Sequence, residues 1–229
     1  MPLKVIPRRD RKLNRVLKRG VLRDLNRGER LFGAGEAAGE LFLVRTGHIR
    51  LLSVDSSGAG KASRSANRGK VVGIAGPWEL CGEEALLSDA SRRCDGVAGE
   101  PCQLLVLNAR GAQKALQTSP QTFEAFLRAK EAELALARAL SALRRPGGAK
   151  ARLGALLLDL GTRLGEKEEK GPGKGLRIPI ALTHQVLADL SDAHRSTVTT
   201  LLNDWIYEGV LKTEGRGIKI VKPKALERG

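Results

Sequence analysis

The sequence predicts an α+β chain: an antiparallel β domain, then a long helix, then a C-terminal helix-turn-helix carrying a β-hairpin wing. Three observations predict it. From Arg30 to Leu107, short apolar runs are broken by turn residues. At Ser119-Pro120 the apolar spacing changes to that of a helix. Beyond Thr183, two short helical stripes are separated by a tight turn and followed by two alternating runs around Gly215-Arg216-Gly217.

Taken in order, the first 30 residues carry 11 basic and 3 acidic side chains. They interleave with Leu13, Val16, Leu17, Val21, Leu22 and Leu25 at helix-like spacing, which reads as a basic amphipathic helix. Its basic face is a solvated surface, a membrane contact or a DNA contact; the pattern alone leaves these open. Strands are expected at Leu41-Phe42-Leu43-Val44, at Ile49 with Leu51-Leu52, at Val71-Val72-Gly73-Ile74 and at Leu104-Leu105-Val106-Leu107. Runs of this length with glycine-marked turns suit a small antiparallel sandwich or barrel. The Ser-, Gly- and Ala-rich stretch from Asp55 to Lys70 reads as a long hairpin loop.

Ser119 is placed to cap the next helix, with Pro120 at its first position, where the missing N–H costs nothing. That helix runs through Phe123, Phe126, Leu127, Leu134, Ala137, Leu140 and Leu143 until Pro146-Gly147-Gly148 stops it. At 1.5 Å per residue it reaches roughly 35 to 40 Å. A spacing near 3.5 with alanine in the seam suits packing against a second copy; packing on its own domain is equally open. A helix over Lys150 to Leu164 leads into Glu166 to Gly175, which reads as a solvated loop. The expected domains are therefore 1–118, 119–148 and 149–229.

In the last domain, Leu182, Val186, Leu187 and Leu190 mark a short helix capped by Thr183, and Ser191-Asp192-Ala193 forms the turn. The next helix carries Val198, Leu201, Leu202, Trp205 and Ile206 on one face. At 100° per residue, Ser196, Thr199, Thr200 and Asn203 project on the other, with Arg195 at the N-terminal end. Short hydrogen-bonding side chains allow close approach to a major groove, and an arginine forks onto guanine. His184 and His194 flank the motif, and Arg216 at the tip of the expected wing suits a phosphate contact.

Charge agrees with this destination. Forty Lys and Arg against 25 Asp and Glu give a formal net charge of +15, which favours polyanionic partners. Only seven aromatic residues argue against a surface that stacks single-stranded bases, so double-stranded DNA ranks first. Three cysteines, Cys81, Cys94 and Cys102, make neither an even disulfide framework nor a CxxC pair, and a reduced, cytoplasmic setting is the default. No run approaches the roughly 18 apolar residues of a membrane span. Neither a P-loop nor HExxH nor GxSxG is present, no nucleophile accompanies Glu83-Glu84, and no metal site is expected; an enzyme is not predicted.

From Thr183-His184-Gln185 to Leu202, with Arg195-Ser196-Thr197-Val198-Thr199 inside it, the chain resembles the winged helix-turn-helix of the cyclic-AMP receptor protein and FNR family of bacterial transcription regulators. Its Thr-Val-Thr core is similar to that of the cyanobacterial global nitrogen regulator. The resemblance extends through Glu40-Leu41-Phe42-Leu43-Val44-Arg45-Thr46-Gly47 and through Gly82-Glu83 with Arg92-Arg93-Cys94. It implies a cyclic-nucleotide-binding-like β-roll, a dimerisation helix, a homodimer on a pseudo-palindromic operator, and RNA polymerase as a further partner. It also implies an effector site at Gly82, Glu83, Arg93 and Cys94, with Arg92 the other candidate for the anion. The implied effector is cyclic AMP or, with Arg138 or Arg128 reaching a dicarboxylate, 2-oxoglutarate.

Departures from the family pattern are specific. Glu84 replaces an apolar residue beside a site for an anion, Cys94 replaces a hydroxyl, and Ala137-Arg138 stands in place of a Thr-Ser pair. Arg195 matches the base-reading arginine, whereas Ser196 and Thr200 replace a glutamate and a second arginine. No cysteine precedes Cys81, which excludes an N-terminal iron-sulfur cluster within this sequence. The alternative function is a sensor or scaffold module that engages an anionic membrane or a protein through the basic N-terminal segment.

Overall fold

The computed structural model describes residues 20–53, 69–142, 148–168 and 175–227. Two units divide the chain, one ending at Ala129 and the other beginning at Lys130.

The first unit holds strands β1 (Val21–Leu25), β2 (Arg30–Phe32), β3 (Glu40–Thr46), β4 (Ile49–Leu52), β5 (Val71–Ala75), β6 (Leu80–Cys81), β7 (Asp95–Ala98) and β8 (Cys102–Asn108). They form two antiparallel four-stranded sheets, ordered β1-β8-β3-β6 and β2-β7-β4-β5. The uninterrupted apolar run in β3 is explained by burial on both faces. Phe42 and Val44 point into the core between the sheets with Phe32, Ile49 and Leu104, while Leu41 packs on the opposite side with Ala85, Leu107, Ala109 and Ala112. That outer cluster is roofed by a 3₁₀ turn, Glu83–Leu86, and by helix α1, Ala109–Thr118.

Helix α1 was not legible in the sequence. Asn108 caps it, accepting from the Arg110 and Gly111 amides, and its buried face is only alanine: Ala109, Ala112 and Ala115. Helix α2 spans Pro120–Ala142. Ser119 caps it as expected, its Oγ accepting from Thr122 N at 3.3 Å.

The second unit contains helix α3 (Ala149–Leu164), strands β9 (Glu166–Glu168) and β10 (Gly175–Ile178), helices α4 (His184–Ser191) and α5 (Arg195–Tyr207), strands β11 (Leu211–Glu214) and β12 (Gly217–Ile220), and a last turn α6 (Pro223–Leu226). The strands form one antiparallel sheet, β11-β12-β10-β9. Gly215 takes φ 58 at the first central position of the β11–β12 turn, the backbone that a Gly-X hairpin turn requires.

Three expectations need correction. Val21, Leu22 and Leu25 lie in β1 and not in a helix, because β1 pairs along its length with β8, from Val21 opposite Val106 to Leu25 opposite Cys102. A long-range ladder outweighs a three-residue helical spacing there, and residues 1–19 of the expected helix lie outside the described residues. Glu166–Glu168 and Gly175 belong to paired strands, Gly175 opposite Glu168, where a solvated loop was expected. Ile206 is 39% exposed, off the buried face of α5. The expected loop over Asp55–Lys70 and the break at Pro146-Gly147 fall wholly or largely outside the described residues.

Candidate functional site

The DNA-facing candidates gather on α4 and α5. Thr183 is the N-cap of α4, its Oγ1 accepting from Val186 N at 3.2 Å. The turn that follows holds Asp192 at φ 51, the left-handed conformation that aspartate tolerates in place of glycine. Arg152 of α3 secures this turn: though buried, it donates from Nε to Ser191 O at 2.7 Å and from Nη2 to Asp192 O at 2.9 Å. The last carbonyls of a helix have no intrahelical donor, and Arg152 supplies donors to these two. No sequence signal marked Arg152, because its partners are backbone atoms about forty residues away.

Helix α5 buries Val198, Leu202 and Trp205, and it leaves Arg195, Ser196, Thr200 and Asn203 exposed. His194 sits at its N-cap position, exposed and without a side-chain capping bond. Thr200 Oγ1 donates to Ser196 O at 3.2 Å. Thr199 is differently placed: half-buried, its hydroxyl donates to Arg195 O at 2.9 Å and lies 2.8 Å from His184 Nδ1. With its one proton given to Arg195, that hydroxyl accepts from an Nδ1–H of His184. Thr199 therefore ties α5 to α4, a role invisible in a face-by-face reading of the helix. Arg216 stands exposed at the hairpin tip, between Gly215 and Gly217.

In the roll, Gly82 takes φ 80 and ψ 30 ahead of the 3₁₀ turn that carries Glu83 and Glu84. The glycine has a second reason: a Cβ there would stand 2.5 Å from Arg92 Nη1. Arg92 is 4% exposed, with its guanidinium carbon 4.6 Å from the ring centroid of Phe32 and 5.4 Å from that of Phe42. It donates to Gly82 O at 2.8 Å and to Glu40 O at 2.6 Å, and its Nη1 is 3.5 Å from Glu84 Oε2. Arg93, by contrast, is exposed, and Glu83 is half-buried. The two arginines that the sequence treats alike thus divide into one buried among backbone carbonyls and one free to meet solvent.

Cys94 is half-buried, and its thiol is pushed up to about 11, first by burial and then by the neighbouring Glu84. It stays protonated at neutral pH, a weak donor in place of a hydroxyl. Arg138 is exposed on α2, within the second unit, and Arg128 pairs with Glu124 at 2.6 Å along the same helix. His48 is buried with Nδ1 2.9 Å from Glu100 Oε1. Among the described residues, no group of three or more His, Cys, Asp or Glu is arranged to hold a metal ion, and no helix is long and apolar enough to cross a membrane.

Comparison with known proteins places both units. Residues 22–119 match the cyclic nucleotide-binding domain, and residues 151–228 match the Crp-like helix-turn-helix domain. Over 217 residues the chain is 24% identical to the CRP-like cAMP-activated global transcriptional regulator of Mycobacterium tuberculosis, covering 90% of this chain and 86% of that one. The fold is similar to that of FixK2 from Bradyrhizobium japonicum, with a TM-score of 0.69 at 20% identity over 91% of this chain and 96% of that one. It is also similar to a CRP-family transcriptional regulator from Thermus thermophilus, with a TM-score of 0.60 at 22% identity over 90% and 95% of the two chains. Carrying a cyclic nucleotide-binding domain followed by a Crp-like helix-turn-helix, this chain belongs to the CRP/FNR family, which consists of transcription regulators and not of enzymes.

Proposed function

We propose that the protein is a sequence-specific DNA-binding regulator that acts as a homodimer on a pseudo-palindromic operator and answers to a small effector in the roll. The observation that carries this reading is the outward face of α5, where Arg195, Ser196, Thr200 and Asn203 are exposed over a buried Val198, Leu202 and Trp205. Arg195 at the helix start is the residue to fork onto guanine O6 and N7, while the short side chains that follow let the helix approach the base edges. Thr183, His194 and Arg216 are assigned to phosphates, which fix register without reading sequence.

Dimerisation is supported by α2. Phe123, Leu127 and Leu134 are 47%, 49% and 49% exposed, and at 100° per residue they share one helix face. Two-fold pairing along that face sets the recognition helices about 34 Å apart, one turn of duplex. In the roll, the cyclic-AMP-activated relative supports a cyclic nucleotide, with Glu83 holding the ribose hydroxyl and Arg93 the cyclic phosphate. Such a ligand acts by favouring one arrangement of the dimer over another, and the DNA-bound dimer is the form that meets RNA polymerase.

Selection from a random duplex library tests the reading, and recovery of a two-fold-symmetric motif is the expected result. Enrichment of duplexes with no common motif would leave a nonspecific basic binder. Calorimetry with cyclic AMP tests the effector; absence of heat at millimolar nucleotide removes it.

A further inference from the structure

The cassette of the roll carries one more charge than recognition of an anion needs. Glu84 lies on the 3₁₀ turn with its side chain 18% exposed. Its Oε2 is buried, accepts no hydrogen bond among the described residues, and faces Arg92 Nη1 at 3.5 Å. Its Oε1 stands 3.5 Å from the backbone N–H of Arg93. One carboxylate therefore spans the guanidinium of Arg92 and the backbone amide of Arg93, the residue whose side chain is assigned to the phosphate.

We propose that Glu84 is the roll's own anion, an internal competitor that occupies the Arg92 guanidinium and the Arg93 amide and sets how strongly an anionic effector binds there. The proposal rests on the effector reading above and deepens it. Both contacts, at 3.5 Å, are longer than the 2.7–2.9 Å typical of charge-assisted hydrogen bonds, so the carboxylate is held loosely and yields to a stronger competitor. Arg92 keeps its carbonyl partners Gly82 and Glu40 whether or not Glu84 is in place, so its guanidinium stays hydrogen-bonded while the incoming anion takes over as counter-charge. A phosphate arriving while Glu84 remains meets like-charge repulsion, which weakens binding. The same negative charge contributes to the raised thiol of Cys94, the group that takes the place of a phosphate-donating hydroxyl.

The test titrates cyclic AMP into the full-length protein by calorimetry, comparing wild type with Glu84→Gln and Glu84→Leu, each first shown by its thermal melt to be folded. The expected result is binding roughly tenfold tighter or more in Glu84→Gln, a gain lost again when Arg93→Ala is added. Equal or weaker binding by both folded variants overturns the proposal. Should neither wild type nor variants take up cyclic AMP, the cyclic-nucleotide reading fails, and inorganic sulfate then reads the competitor directly. A melting midpoint raised by sulfate in Glu84→Gln beyond the rise in wild type supports Glu84 as the resident anion. An equal rise in both is the general effect of an excluded salt and overturns it.

Discussion

Arg195 and Arg92 show how differently one residue type is used within a chain. Arg195 is exposed at the start of α5, so its replacement by alanine is expected to leave the fold intact and to weaken operator binding by about 1–3 kcal/mol, with specificity relaxed at one base pair per half-site. Competition binding against single-base operator variants measures both. Arg92 is buried beside Phe32 and Phe42 and near Glu84. Its replacement by methionine leaves the buried Glu84 Oε2 without the Arg92 cation and removes a donor from the Glu40 and Gly82 carbonyls, of which Gly82 O keeps the Ala85 amide, so a loss of about 3–5 kcal/mol in denaturant unfolding is expected. Adding Glu84→Leu should recover part of that loss, because the stranded charge is then gone; no recovery would show that the ring contacts and carbonyl bonds carry the effect. The sequence presents Arg92 and Arg93 as a pair, and nothing local separates them. What separates them is tertiary: Gly82, ten residues earlier, leaves the space into which the Arg92 guanidinium fits. Thr199 is a similar case, since its partner His184 lies fifteen residues away across the turn.

At the scale of elements, legibility followed the length and size of the apolar side chains. The runs in β3, β4, β5 and β8 and the stripes of α4 and α5 stood out because they bury Leu, Ile, Val and Trp at a constant period. Strand β7 was silent: it reads Asp-Gly-Val-Ala, a turn by composition, yet Gly96 is required where the Phe32 ring packs, a Cβ there falling 2.7 Å from ring atoms. Helix α1 was hidden because alanine gives little hydrophobic contrast. Helix α2 was legible as a helix but not in its purpose, since a period near 3.5 serves a second chain or the same chain equally. The exposure of Phe123, Leu127 and Leu134 favours the second chain. Leu127→Asp and Leu134→Asp are each expected to shift the protein to monomer in sedimentation equilibrium while leaving its helical content near that of wild type. A dimer that persists through both substitutions places the interface elsewhere.

Over the whole molecule, charge is the widest-ranging property. A formal net charge of +15 supplies a sequence-independent attraction to duplex, and a regulator neutralising six to ten phosphates loses about 10³ to 10⁵ in affinity between 50 and 200 mM salt. Titrating operator binding across that range gives the contact number from the slope. A slope near zero would mean that the basic excess does not face the DNA. The order of domains was readable because short apolar runs broken by turn residues give way at Ser119-Pro120 to the spacing of helices. The identity of any effector was not, because it is set by single substitutions such as Glu84 and Cys94 inside a common frame.

The arginine that crosses from α3 to the turn between α4 and α5 has a consequence for motion. An elbow whose backbone carbonyls are held by side-chain donors from a third helix does not flex by itself. The amide of Ala193, bonded to Ala188 O at 3.0 Å, is then expected to exchange its hydrogen with solvent only when the whole unit opens, at the rate of the core amides of α3. In Arg152→Ala that amide should exchange through local opening, well ahead of the core. Where that exchange pattern is found, the angle of α5 on its unit is set before DNA arrives, and the cost of ordering it is met during folding and not at binding.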